Sequence, residues 1–153
     1  LGMVESLSRR QGLHYTLFRP DELVLVARPG GRYARTEQVT PEELCRIPLV
    51  LRENGSGTLE VIAAALAGAG LRLSQLQVAM RLGTTEGIKA YVRHSDAMAI
   101  VSVISVVDEL RSGALRIVDI DNLTLTRDFS FVHAAAEPDS LARQFVDFAR
   151  SDF

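Results

Sequence analysis

Two short turns in this chain, Asn54-Gly55-Ser56-Gly57-Thr58 and Gly83-Thr84-Thr85, have the residue types that take hold of an anion. Glycine lets a ligand come close to the backbone, and Ser and Thr hydroxyls donate or accept as required. A helix that starts at such a turn adds unpaired N–H groups and the positive end of its dipole. A carboxylate or another small anion suits that chemistry, which makes Ser56, Gly57, Thr58, Thr84 and Thr85 the candidate ligand-binding residues. The competing account is that the hydroxyls only cap their own helices. From spacing alone both accounts stay open.

Catalytic constellations do less well. A phosphate-cradling P-loop requires a lysine after its second spaced glycine, and Leu59 follows Thr58 instead. The dinucleotide fingerprint requires a third glycine where Glu60 stands. A nucleophile elbow requires glycine two places before the serine, where Asn54 stands. His14, His94 and His133 lie far apart, without metal-ligand spacing or a partner cysteine. Glu42, Glu43, Asp108 and Glu109 fall at predicted helix ends, where a solvated or dipole-related role is the default. The expectation is a binding protein and not an enzyme, with no cofactor and no metal.

The elements that position the two turns alternate. Residues 1–4 read as a short buried strand, 14–18 alternate, and 22–27 (ELVLVA) are nearly continuously apolar, as in a strand covered on both faces. Pro29-Gly30-Gly31 breaks the chain, and Thr40-Pro41-Glu42-Glu43 is a helix start with Thr as N-cap. Strands are expected at 48–51, 76–82, 97–101, 115–120 and 129–134, with helices at 59–67, 86–93 and 103–110. Pro138-Asp139-Ser140 opens a last helix with Leu141, Phe145 and Phe148 on one face. Such alternation predicts an α/β fold built from βαβ units with mixed, mostly parallel sheets. The regions 23–29 and 120–127 are the places where the chain could cross between two lobes.

Composition narrows the class further. With 47% hydrophobic and 24% charged residues the chain is an ordinary globular one, and a net charge of −2 with scattered arginines argues against a nucleic-acid surface as its main feature. Cys45 is the single cysteine and cannot form an internal disulfide, which favours a reducing compartment. No apolar stretch approaches the roughly 20 residues of a membrane helix, so no membrane partner is expected. The opening Leu1-Gly2-Met3-Val4-Glu5 reads as the middle of a strand, so an N-terminal piece is expected upstream, with any targeting signal on it.

Several blocks together resemble the effector-binding domain of LysR-type bacterial transcription regulators. They are Pro20-Asp21-Glu22-Leu23-Val24-Leu25-Val26, Ile47-Pro48-Leu49-Val50-Leu51-Arg52-Glu53 with Gly55-Ser56-Gly57-Thr58, Thr85-Glu86-Gly87-Ile88-Lys89-Ala90-Tyr91-Val92, and Glu109-Leu110-Arg111-Ser112-Gly113-Ala114-Leu115. The resemblance implies a type 2 periplasmic-binding-protein-like fold of two lobes, with a small-molecule effector in the cleft. On it, residues 1–22 and 121–153 belong to an incomplete first lobe and 23–120 to the second. Ser56, Gly57, Thr58 and Thr84 or Thr85 then line the second lobe's side of the cleft. Asn54 and Leu59 depart from the family, whose members often have Pro and Arg there, and the missing Arg weakens the case for direct charge on a strongly acidic ligand.

The resemblance also implies a cytoplasmic homo-oligomer, a dimer or, at full length, a tetramer, that touches DNA only through an N-terminal winged helix-turn-helix outside these residues. Uncovered apolar faces at 1–4 and 129–134 would favour the same self-association. A solute-binding component of a transport system is the alternative, since it shares the fold and the helix-terminus chemistry.

Overall fold

Fourteen residues, His14–Ala27, form one unbroken strand, β2, that serves two ladders. In the computed structural model, which describes residues 1–5, 10–134 and 139–151, residues His14 to Glu22 pair antiparallel with β8 (Thr126–His133), and β8 pairs antiparallel with β1 (Gly2–Val4). From Leu23 onward β2 changes partners. It runs antiparallel to β6 (Met98–Ser102) on one side and to β7 (Arg116–Ile120) on the other. The sequence reads as two strands here, an alternating one at 14–18 and a continuously apolar one at 22–27. The structure keeps one strand, with a register shift between Leu17 and Arg19, and places Pro20 where β2 has a partner on one side only.

The rest of the sheet follows the predicted alternation. β4 (Leu49–Arg52) runs parallel to both β5 (Val78–Leu82) and β6. The two-residue β3 (Gln38–Val39), which the sequence reading lacks, runs parallel to β7. The helices are α1 (Pro41–Leu44), α2 (Gly57–Gly68), α3 (Thr85–Arg93), α4 (Val107–Arg111) and α5 (Ser140–Ser151). α1 has the full reciprocal cap. Thr40 Oγ1 accepts from Glu43 N, and Glu43 Oε2 accepts from Thr40 N at 2.8 Å. The predicted helix at 103–110 begins as a 3-10 turn, Val103–Val106, before α4.

Burial on both faces explains the continuous apolar runs. Leu23 and Leu25 of β2, Leu49 and Leu51 of β4, and Met98 and Ile100 of β6 pack with Leu59, Ile62 and Leu66 of α2. The alternate residues Val24, Val26, Val50, Ala99 and Val101 pack with Ile88 and Val92 of α3. The two-residue period of a strand sends long Leu side chains to the α2 face and short Val and Ala to the α3 face.

The β8 end is thinner. α5 lays Val146 and Ala149 on Phe131, with Phe18 beside them. Leu141, Phe145 and Phe148 share a face as expected, but that face is largely exposed. Pro138 lies outside the described residues; Asp139 Oδ1 accepts from Ala142 N at 2.8 Å. Leu1 and Met3 are uncovered, as expected, whereas Phe131 of β8 is buried under α5.

Candidate ligand-binding site

The first turn is built by β4 and α2. β4 ends at Arg52, Gly55 takes a positive φ of 86°, and Ser56 caps α2 by accepting from Leu59 N at 3.3 Å. Thr58, buried in the first helical turn, uses its Oγ1 differently and accepts from Arg127 Nη1 at 3.0 Å. The second turn repeats the plan between β5 and α3. Thr84 caps by accepting from Gly87 N at 3.1 Å, and Thr85 is the first helical residue.

Thr58 and Thr85 line one cavity of about 340 Å³. Gly57 lines a neighbouring one, of about 620 Å³, and Met3, Glu5 and Phe129 border both. Ser56 and Thr84 spend their hydroxyls on the helix N-termini and line neither.

The residue at the heart of the site was not apparent from the sequence. Arg127, on β8, has a side chain only 4% exposed. Its Nε donates to Asp21 Oδ2 at 2.8 Å, and its Nη1 serves Thr58 Oγ1 and forms a close ion pair with Glu5 Oε2. Asp21 is 0% exposed, and its other oxygen accepts from Ser102 Oγ at 2.7 Å. The Arg127 guanidinium also lies 4.9 Å from the Phe129 ring centroid. A charge can be buried like this only because its donors are matched. The result ties β8, β2, β6 and α2 together at the cavity wall, where Arg19, Arg52, Phe18 and Phe129 complete the lining. Asp21 and Thr58 lie 106 and 69 residues from Arg127, so no local spacing announces the cluster.

A further arginine of the cavity lining is Arg52. It is bonded through two nitrogens to Glu53, at 2.7 and 2.8 Å. That hydrogen bonding holds Arg52 above its ordinary value and Glu53 down to about 2, and the Glu5 charge adds to the effect on Arg52. The arrangement can hold an oxyanion between guanidinium groups and hydroxyls.

Among the described residues no three His, Cys, Asp or Glu side chains gather as a metal site would require. His14 and His133 stack on each other across the β2–β8 ladder, 5.5 Å apart, and His94 ends α3. Among the same residues no helix is long and apolar enough to cross a membrane.

Residues 1–153 match the family described as the LysR substrate binding domain. The chain belongs to that family. The LysR domain is 36% identical over 129 residues to the HTH-type transcriptional regulator YeiE of Escherichia coli (strain K12), covering 84% of this chain and 43% of that protein. It is 35% identical over 153 residues to the phosphonates import ATP-binding protein PhnC of Anaeromyxobacter dehalogenans (strain 2CP-C), covering 99% of this chain and 30% of that protein. The chain thus spans less than half the length of these curated relatives. The regulatory domain of CcmR from Synechocystis PCC6803, solved in complex with 2-PG, superposes with a TM-score of 0.82 at 22% identity, over 98% of this chain and 71% of that one. The fold is type 2 periplasmic-binding-protein-like.

In this LysR domain the far side of the cavity is braced from α3. Lys89 Nζ donates to the Ser105 carbonyl at 3.0 Å and pairs with Glu86 at 2.8 Å and Glu109 at 3.0 Å. Ser105 Oγ in turn donates to the Ser102 carbonyl at 2.7 Å. The hydrogen bond with Glu86, and that with Glu109 after it, hold the Lys89 ammonium above its ordinary value against the opposing effect of burial. The same contact with Lys89 pulls Glu109 down. Lys89 thereby fixes the turn that presents Ser102, Ile104 and Ser105 to the cavity.

Proposed function

We propose that this domain is the effector-sensing part of a LysR-type transcription regulator, and that the cavity beside Arg127 holds a small anion or carboxylate. The observation that carries this reading is the cavity itself. Thr58, Thr85 and Ser102 face it from one side of the β2 crossing, and Phe18, Arg19, Arg127 and Phe129 face it from the other. Thr58 and Thr85 would touch the ligand, Gly57 would allow approach to the α2 backbone, and Ser56 and Thr84 would hold the two helix N-termini in place.

The division into lobes belongs to the same proposal. Residues 1–22 and 121–153 form one lobe and 23–120 the other, which the change of partners in β2 between Glu22 and Leu23 supports. A ligand bridging them shifts their relative angle only by its differential affinity for the two arrangements. In the whole cytoplasmic regulator, self-association and a helix-turn-helix outside these residues would turn that shift into altered DNA contacts.

A thermal-shift series against small carboxylates and inorganic anions tests the reading. At roughly 100 times its Kd, one compound is expected to add about 2.7 kcal/mol, several degrees in a domain of this size. Thr58→Val and Thr85→Val should abolish the shift, while Ser56→Ala lowers the starting melting temperature and leaves the shift. Sedimentation of the same samples reports self-association. A shift that survives both threonine substitutions removes the cavity from the reading.

A further inference from the structure

Glu5 is an acidic residue in the cavity wall, and it stands where a ligand's negative charge would go. Its carboxylate pairs with Arg127 Nη1, the nitrogen that also serves Thr58. The guanidinium already has a fully buried carboxylate partner, since Asp21 holds its Nε at 2.8 Å. Glu5 is therefore a second carboxylate on one cation. It also packs on the first turn of α2. A Cβ added at Gly57 would lie 2.4 Å from Glu5 Cγ and 3.0 Å from its Oε1, so only glycine leaves room for that side chain.

The position of Glu5 suits exchange. The paired register of β1 ends at Val4, opposite Ser130, so Glu5 lies just beyond the ladder. Its side chain is 28% exposed, against 4% for Arg127 and 0% for Asp21. Glu5 can swing away without breaking a strand pair, while Asp21 keeps Arg127 in place.

We propose that Glu5 is a tethered competitor for the effector, its carboxylate and the ligand's anionic group contending for the same face of Arg127. This rests on the reading of the cavity as an anion site. Like charges exclude each other at such short range, so the ligand binds only when Glu5 has left, and the apparent affinity is lowered by the fraction of time the pair is closed.

Calorimetric titration of inorganic phosphate into the full chain, the Glu5→Gln variant and the Glu5→Ala variant tests this. Both variants are expected to bind phosphate about tenfold more tightly, the factor for a pair that is open roughly one-tenth of the time. Adding Thr58→Val to Glu5→Gln should cancel the gain. Melting curves without phosphate check that each variant is folded, which the retained Asp21 and Thr58 contacts of Arg127 favour. Phosphate that binds the parent and binds both Glu5 variants equally or more weakly overturns the inference and leaves the anion reading standing. Phosphate that binds neither the parent nor the variants at millimolar concentration overturns both.

Discussion

Arg127 is one cation answering to Asp21, Glu5 and Thr58, and its value to the fold depends on which of them is removed. Asp21→Ala strips the fully buried partner and leaves a guanidinium that is only 4% exposed. The cost expected is about 3 kcal/mol, the lower part of the range for a broken buried pair, because Glu5 retains one contact. Replacing both partners, Asp21→Leu with Arg127→Met, should cost less than Asp21→Ala alone, since no fully buried charge is then stranded and Glu5, 28% exposed, can turn to water. Urea denaturation of Asp21→Ala, Asp21→Leu, Arg127→Met and the double measures this; a double as costly as Asp21→Leu and Arg127→Met summed would mean that the pair does not act as a unit. At this scale the sequence showed one half of the candidate site. Thr58 and Thr85 could be found because a strand end, a glycine turn and a helix start are adjacent in the chain. Arg127, Asp21 and Glu5 could not, because their meeting is made by sheet register. In sequence, Asp21 is one acidic residue beside Glu22, and Arg127 one of many scattered arginines.

Elements whose signals are local were legible and those defined by their neighbours were not. The α1 cap is written in four consecutive residues, and both of its reciprocal hydrogen bonds form. β3 has two residues and exists because Gln38 and Val39 meet Asp119 and Ile120, about 80 positions away in the chain. β2 read as two strands because its pattern changes from alternating at 14–18 to continuously apolar at 22–27, and only the ladders show that Pro20, paired on one side, leaves the strand whole. The α3 brace carries its own prediction. Lys89→Met removes the ammonium between Glu86, 81% exposed, and Glu109, 15% exposed, whose Oε2 has no hydrogen-bond partner. The stranded Glu109 should cost about 3 kcal/mol. Glu86→Gln, at the solvent side of the same lysine, should cost less than about 0.5 kcal/mol. Equal losses in the two variants, read from their melting curves, would show that α3 is held by its apolar face alone and that Lys89 does not brace the 102–105 turn.

For the molecule as a whole, the two-sided core was the most legible feature, because continuous apolar strands between amphipathic helices have few other ways to be buried. The charge distribution was the least legible, since it depends on contacts between elements, and it governs the response to acid. Among the described residues, three carboxyls are held below their ordinary values in the folded chain. Glu53 sits at about 2, through its hydrogen bonds with Arg52. Asp96 is lowered by Arg28 and by the Arg32 N–H, and Glu109 by Lys89. A carboxyl that binds protons less readily when folded stabilises the fold above its unfolded pKa, about 3.9 for Asp and 4.3 for Glu, and that contribution disappears as pH falls through the folded value. The melting temperature should therefore hold steady from neutrality to about pH 5 and fall progressively from about 4.3 towards 2. Salt separates the contributions. The side chains of Glu53 and Asp96 are close to half exposed, so molar sodium chloride should flatten their part of the fall, whereas the enclosed Glu109–Lys89 pair is screened far less. In high salt, Lys89→Met should then remove most of the acid limb that remains. An acid limb that vanishes entirely with salt in the parent chain would place all of it on surface pairs and leave the α3 brace without a measurable electrostatic part.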